Sequence, residues 1–102
     1  VGDEELRLTV PVDSDPELKR NLFRVADRLG LRAHVGYFRR GTILDDHVPF
    51  AEAGVPAINL IDFEFGPDNG YWHTAEDRLG RVSADSLEIA GRLALGIVAE
   101  LM

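Results

Sequence analysis

The chain has 102 residues, 45% of them apolar and 28% charged, which bounds it to one globular domain with a modest core. A formal net charge of −7 argues against a nucleic-acid partner, because phosphates are met by Lys and Arg. There is no cysteine, so a disulfide and a thiolate metal site are both excluded, and any metal must be held by His, Asp or Glu. No apolar run nears the roughly 20 residues a membrane helix needs, so membrane insertion is not expected.

Residues 5–12 alternate, with Leu6, Leu8 and Val10 on one side and Arg7 and Thr9 on the other, which predicts a strand ended by Pro11. Ser14-Asp15-Pro16 reads as a helix start, a capping side chain followed by proline in the first turn. Leu18, Leu22, Val25 and Leu29 recur at helical spacing and Gly30 is a stop, so a helix is predicted over 16–29. Residues 33–38 predict a short strand, with His34 in a structural role, and Arg39-Arg40-Gly41 a loop.

Residues 45–54, DDHVPFAEAG, predict a short helical turn capped by Asp45 or Asp46 and closed by Gly54. Residues 55–62, VPAINLID, form a nearly unbroken apolar run, the pattern of a buried parallel strand. Residues 63–80 carry too many Gly, Pro, Asn and Asp for regular structure. Loops longer than about 12–15 residues are usually functional or disordered, and the aromatics here argue against disorder. Ser83 then caps a last helix, with Leu87, Ala90, Ala94, Ile97, Val98 and Leu101 on its apolar face and Gly91 and Gly96 allowing close packing on a sheet. The order of elements predicts an α/β fold with a sheet covered by helices. Ligands of such sheets sit beyond the carboxyl ends of the strands, where the loop after residue 62 begins.

Three groups carry candidate chemistry. Asp45, Asp46 and His47 put two carboxylates and an imidazole at the mouth of a turn. They cap a helix favourably there, and one acid could instead point into a site and orient a base. His73 is a candidate metal ligand, and Asp77, four residues on, a second ligand or a hydrogen-bond partner for the imidazole. Phe63, Phe65, Tyr71 and Trp72 crowd one loop, either packing it onto its own domain or walling a substrate pocket.

Together these pieces are more specific than any alone. DDHVPFAEAGVPAINLID, a loop, then YWHTAEDRLGRVSADSLEIAGRLAL resembles the C-terminal part of metallopeptidase family 28, the zinc aminopeptidases and their glutaminyl cyclase relatives. The resemblance is close over residues 43–102 and loose over 1–42. It implies the C-terminal portion of a three-layer α/β/α zinc-exopeptidase domain with a mostly parallel sheet. It implies that His73 is the last zinc-binding histidine, that Trp72 lines the substrate pocket, and that Asp45 is a carboxylate near the reacting group. The two-zinc aminopeptidases often have serine at that position. Asp46 and His47 would fix the turn and its neighbours.

The resemblance also implies ligands that residues 1–102 lack: a His-x-Asp, a Glu-Glu pair with the general base, and an Asp falling just ahead of Val1. One or two zinc ions are expected, with their other ligands outside this chain, and the chain alone is expected to be inactive. The activity implied first is aminopeptidase-type hydrolysis of an N-terminal peptide bond. The alternatives are cyclisation of an N-terminal glutaminyl residue and a non-catalytic domain of the same fold. The expected partner is a peptide or small-molecule amide. Members of the family are often secreted or periplasmic. Leu6, Leu8, Val55, Ile58, Leu60 and Ile61 would lack some sheet neighbours and expose apolar surface.

Overall fold

A computed structural model describes residues 1–39 and 41–102. Arg40, in the middle of the expected 39–41 loop, lies outside the described residues. The first strand, β1 (Leu8–Val10), is shorter than the alternation over 5–12 suggests. Leu8 and Val10 are fully buried while Thr9 between them is half-buried, so one face of β1 meets the core. Leu6, just ahead of the strand, is buried as well, and neither Leu6 nor Leu8 shows the exposure expected of it.

The helix α1 (Pro16–Leu29) occupies the predicted residues. Asp15 Oδ2 accepts from the N–H groups of Glu17 and Leu18, both at 3.0 Å, which satisfies two donors of the first turn. Gly30 stops the helix in the left-handed region, φ 71°, where a side chain would be strained. Asn21, Leu22, Val25 and Ala26 form its buried stripe. A 3₁₀ turn, Arg32–His34, then takes the first residues of the stretch predicted as extended. His34 Nδ1 donates to Leu6 O at 3.0 Å and ties the turn to the chain before β1. The strand β2 (Val35–Tyr37) pairs in parallel with β1, Leu8 opposite Val35 and Val10 opposite Tyr37.

A two-turn helix, α2 (His47–Glu52), follows, and Gly54 at φ 81° closes it. The next stretch departs from expectation. Residues 55–62 are not a buried parallel strand: Val55 is 49% exposed, residues 57–62 are half-buried, and the segment meets β1 through one antiparallel bridge, Ile61 to Thr9. Thr9 N–H donates to Ile61 O at 2.7 Å and Ile61 N–H returns to Thr9 O at 3.3 Å. A parallel return needs a crossover that carries the chain back along the sheet, and the connector through the six-residue α2 enters from the opposite direction. The apolar run has two faces, and only the side with Ile58 and Leu60 packs on the core.

The last helix, α3 (Ala84–Leu101), begins at Ser83, whose Oγ accepts from Ser86 N at 3.2 Å. Its buried residues are Ser86, Leu93 and Ile97, with Ile89 and Ala90 against the core. The face named from the sequence is therefore rotated: Leu87, Val98 and Leu101 are 45%, 53% and 60% exposed, and Ala94 is exposed too. This helix is apolar almost all round, so its period leaves the buried side open. Gly96 decides it. A Cβ there would collide with Val25, so α3 lies directly on α1, not on a sheet. Gly91 has no such neighbour.

Leu8, Val10, Leu22, Val25, Ala26, Val35 and Leu93 are fully buried in one core shared by β1, β2, α1 and α3. Each buried Leu or Val contributes about 1.5–3 kcal/mol relative to exposure. Arg24 and Arg28 of α1 pair with Glu100 of α3 at 3.1 and 3.4 Å along the open edge of that contact. The described residues build a two-stranded sheet that shares one core with the packed pair α1 and α3, an α/β architecture.

Candidate active site

Loop 63–82 begins where the 55–62 segment leaves β1. Three of its non-glycine residues, Asp68, Asn69 and His73, have φ of 54°, 58° and 54°. Left-handed backbone at a non-glycine residue costs on the order of 1–3 kcal/mol and persists only where surrounding contacts hold it. At His73 one contact is evident: its imidazole lies on the Trp72 indole, centroids 4.0 Å apart and planes 16° from parallel. Such a pair is worth about 0.5–1.5 kcal/mol, enough to offset part of the strain. Both rings are exposed, and neither nitrogen of His73 has a hydrogen-bond partner among the described residues.

The four aromatic candidates do not form one wall. Trp72 packs against Phe63 at 5.1 Å, and Phe63 meets Phe38 edge-on at 5.7 Å. Phe38, just past β2, was not identified from the sequence, because nothing local ties it to a loop 25 residues away; only the chain path after β2 does. Phe65 and Tyr71 form a separate pair, edge to face at 5.4 Å. The Tyr71 ring lies on Gly66, where any Cβ would strike it, and under the Arg81 guanidinium at 4.6 Å. Trp72 thus touches both Phe63 and His73, while Phe65 and Tyr71 pair with each other within the loop.

Asp45 is half-buried and held at both oxygens. Asp46 N–H donates to its Oδ1 at 2.8 Å and Asn59 Nδ2 to its Oδ2 at 3.2 Å. Asn59 is a second residue the sequence did not single out, since within an apolar run it reads as an interruption. Asp46 sits at the N-cap position of α2 but makes no side-chain capping bond. His47 is buried, and its Nε2 lies 3.2 Å from Asp13 Oδ1. Its Nδ1 is buried without a partner among the described residues. Asp77 stands apart from His73: its N–H donates to Thr74 O at 3.1 Å, and its exposed carboxylate makes no bond among the described residues.

Near the base of the loop, Asp3 is buried and accepts from Gly66 N at 3.0 Å. Asp62 accepts from Arg7 N and Glu64 N at 3.1 Å each. Burial holds the Asp62 carboxyl above its ordinary range against those two donors, and the nearby Asp3 charge adds to the effect. On the loop surface the hydrogen bond from Arg81 holds the Glu76 carboxyl below its ordinary range, with Arg78 adding to it.

A catalytic zinc takes about three protein ligands and keeps a position open. Among the described residues no three of His, Asp and Glu come together so as to hold a metal ion. His73 fits as one donor, exposed and stacked on Trp72, and the described residues offer no closed site of their own.

The profile of Peptidase family M28 matches residues 2–98. Glutaminyl-peptide cyclotransferase of Bos taurus is 43% identical over 58 residues, covering 50% of this chain and 15% of the bovine protein. Aminopeptidase YwaD of Bacillus subtilis is 40% identical over 57 residues, covering 54% of this chain and 12% of that one. The crystal structure of an Acidobacteriales bacterium glutaminyl cyclase superposes with a TM-score of 0.89 at 39% identity, over 97% of this chain and 35% of that chain. The chain spans about a third of the solved relative and less of the curated ones. At that identity and coverage the likeness shows the α/β fold, and relatives of both names make this a family of enzymes. With nearly its whole length matched, the chain belongs to peptidase family M28.

Proposed function

We propose that this chain supplies the C-terminal portion of the catalytic domain of a zinc-dependent enzyme acting at the N-terminus of peptides. We propose further that its reaction is closure of an N-terminal glutaminyl residue. In that reaction the α-amine nitrogen bonds to the side-chain carbonyl carbon, the carbon–nitrogen bond of the amide breaks, and ammonia leaves carrying the proton the amine gives up. Zinc, when bound, supplies Lewis-acid polarisation of that carbonyl. His73 gives one neutral nitrogen toward it, and the remaining donors come from outside the described residues. Trp72 and Phe63 form an apolar wall beside His73 and keep water from the reacting carbon.

The observation that carries the choice of reaction is the Asp45 carboxylate, fixed through both oxygens by Asp46 N–H and Asn59. In cyclisation the α-amine is itself the nucleophile, so it must be aimed and must give up a proton, and an oriented carboxylate suits both tasks. Hydrolysis of the N-terminal peptide bond is the second reading, favoured by the 40% identity to the Bacillus aminopeptidase and by the long 63–80 loop.

The test offers a longer protein carrying this chain, loaded with zinc, a Gln-peptide and a Leu-anilide side by side. Ammonia release from the Gln-peptide alone, lowered in Asp45→Asn, is the expected result. Anilide cleavage without ammonia release would overturn cyclisation in favour of the aminopeptidase. Neither product from the zinc-loaded protein would sink both.

A further inference from the structure

Arg81 carries no role in the reading above, yet it touches two separate parts of the loop, Glu76 and Tyr71. Its Nη2 donates to Glu76 Oε2 at 2.5 Å, and Arg78 Nη2 donates to the same oxygen at 3.0 Å. Its guanidinium covers the Tyr71 ring at 4.6 Å, and its Nε is buried without a partner among the described residues. Tyr71 is pressed between Arg81, the edge of Phe65 and the bare Cα of Gly66, which is itself at φ 78°. The next two residues are Trp72 and His73.

The remaining bonds close the turn onto the same frame. Thr74 Oγ1 donates to Gly70 O at 3.0 Å and accepts from Glu76 N at 3.2 Å. Trp72 N–H donates to Asn69 O at 3.2 Å. Both ends of the loop are pinned to the start of the chain: Gly66 N to Asp3 at 3.0 Å, and Ser83 N to Gly2 O at 2.7 Å. Residues 66–83 therefore form a closed ring of contacts, and Arg81 joins its two limbs across the gap between Tyr71 and Glu76.

We propose that Arg81 is a positioning residue: paired with Glu76 and laid over Tyr71, it holds the turn that presents His73 in left-handed backbone, stacked on Trp72, with no metal or substrate bound. Its value for catalysis rests on the reading of His73 as a zinc donor. The geometry itself does not, because every member of the ring belongs to this chain. Each contact is weak alone, exposed ion pairs especially. Losing Arg81 should release the turn and leave the α1–α3 core in place. A strained donor held ready loses less freedom on capturing its ligand than one that must be ordered first.

The experiment is carbon-13 NMR of histidine-labelled, metal-free 102-residue chain at one pH. The chain has three histidines and one tryptophan, so the ring signals report separately. Stacking on the indole displaces the His73 ring protons upfield. His47, bonded to Asp13, and His34, bonded to Leu6 O, serve as internal monitors of the fold. In Arg81→Gln and Glu76→Gln most of the His73 displacement should vanish while His34 and His47 hold their positions. Arg81→Lys should retain at least half of it, and Arg78→Gln nearly all.

The proposal is overturned if both glutamine variants keep the displacement, or if the unsubstituted chain shows His73 at random-coil positions. It is overturned equally if all three histidines move together in both variants, since Arg81 would then be supporting the fold at large. His73→Ala in the zinc-loaded longer protein tests the donor reading separately, so either idea can fail without the other.

Discussion

The His73 imidazole lies flat on the Trp72 indole, 4.0 Å between centroids, with His73 in left-handed backbone at φ 54°. A side chain with several free rotations is thereby reduced to one ring plane at a strained turn. Removing Trp72 should cost that orientation, not the fold, because the indole is 43% exposed. The stack is worth about 0.5–1.5 kcal/mol, so Trp72→Ala in the longer protein should weaken zinc binding about three- to tenfold. Trp72→Phe should keep most of the affinity. Chelator competition measures both. His73→Ala should lower activity by orders of magnitude with circular dichroism unchanged; full zinc content and activity in that variant would refute the donor role.

Asn59→Ala removes the one side chain among the described residues that holds Asp45 Oδ2. A hydrogen bond to a charged acceptor contributes about 1.5–3 kcal/mol when buried and less at this half-buried site. On the proposed reading, a longer protein carrying this chain should lose about tenfold in kcat/KM for a Gln-peptide, which corresponds to about 1.4 kcal/mol. Its melting temperature should change little. An unchanged kcat/KM would mean that Asp45 needs no such support.

Asp13 and His47 tie the connection between β1 and α1 to the start of α2 over 34 residues of chain. Because His47 Nδ1 has no partner among the described residues, Asp13→Ala would leave a buried imidazole with no hydrogen bond to them at either nitrogen. That should cost about 1–3 kcal/mol. Asp13→Asn keeps an oxygen and should cost less. Urea denaturation midpoints of the two variants give the comparison, and equal midpoints would show the contact to be incidental.

Asp62 makes stability depend on pH in a definite direction. Burial raises its carboxyl above the ordinary 3.8, so the folded chain holds the proton more tightly than the unfolded one. The stability it contributes is complete below 3.8 and is lost as pH climbs through the folded value. Asp62→Asn removes that titration. The stability of the natural chain minus that of the variant should therefore fall as pH rises from about 3.5 toward neutrality. Denaturant midpoints taken across that range check it, and a flat difference would contradict the assigned direction.

With one exposed imidazole and no three-ligand cluster among the described residues, the 102-residue polypeptide should neither cleave an aminoacyl anilide nor cyclise a Gln-peptide when zinc is supplied. Zinc-dependent turnover of either substrate by the purified chain would overturn the view that the other ligands lie elsewhere.

Where a signal acts within a few residues, it was legible in the sequence. Ser14-Asp15-Pro16 and Gly30 bound α1 at both ends because a cap satisfies its own helix's first N–H groups and a left-handed stop needs only a missing Cβ. Ser83 starts α3 for the same reason. The glycines and prolines of 63–80 leave it no α-helix or strand, only two 3₁₀ turns, Pro67–Asn69 and Leu79–Arg81, and the DDHVPF and YWHT motifs pointed to the family that the profile match bears out.

Tertiary structure decided whatever depends on a partner far along the chain. The 55–62 run has two apolar faces, and its direction and half-burial were set by Thr9, 52 residues away. The buried side of α3 was chosen by Gly96 meeting Val25. The four loop aromatics divided into two clusters because Phe38 receives Phe63 while Arg81 receives Tyr71. Asn59 gained its meaning only opposite Asp45. Backbone chemistry writes where elements start and stop, but apolar surface is non-directional, so which face is buried and which polar groups meet is settled only when distant segments compete for the same core.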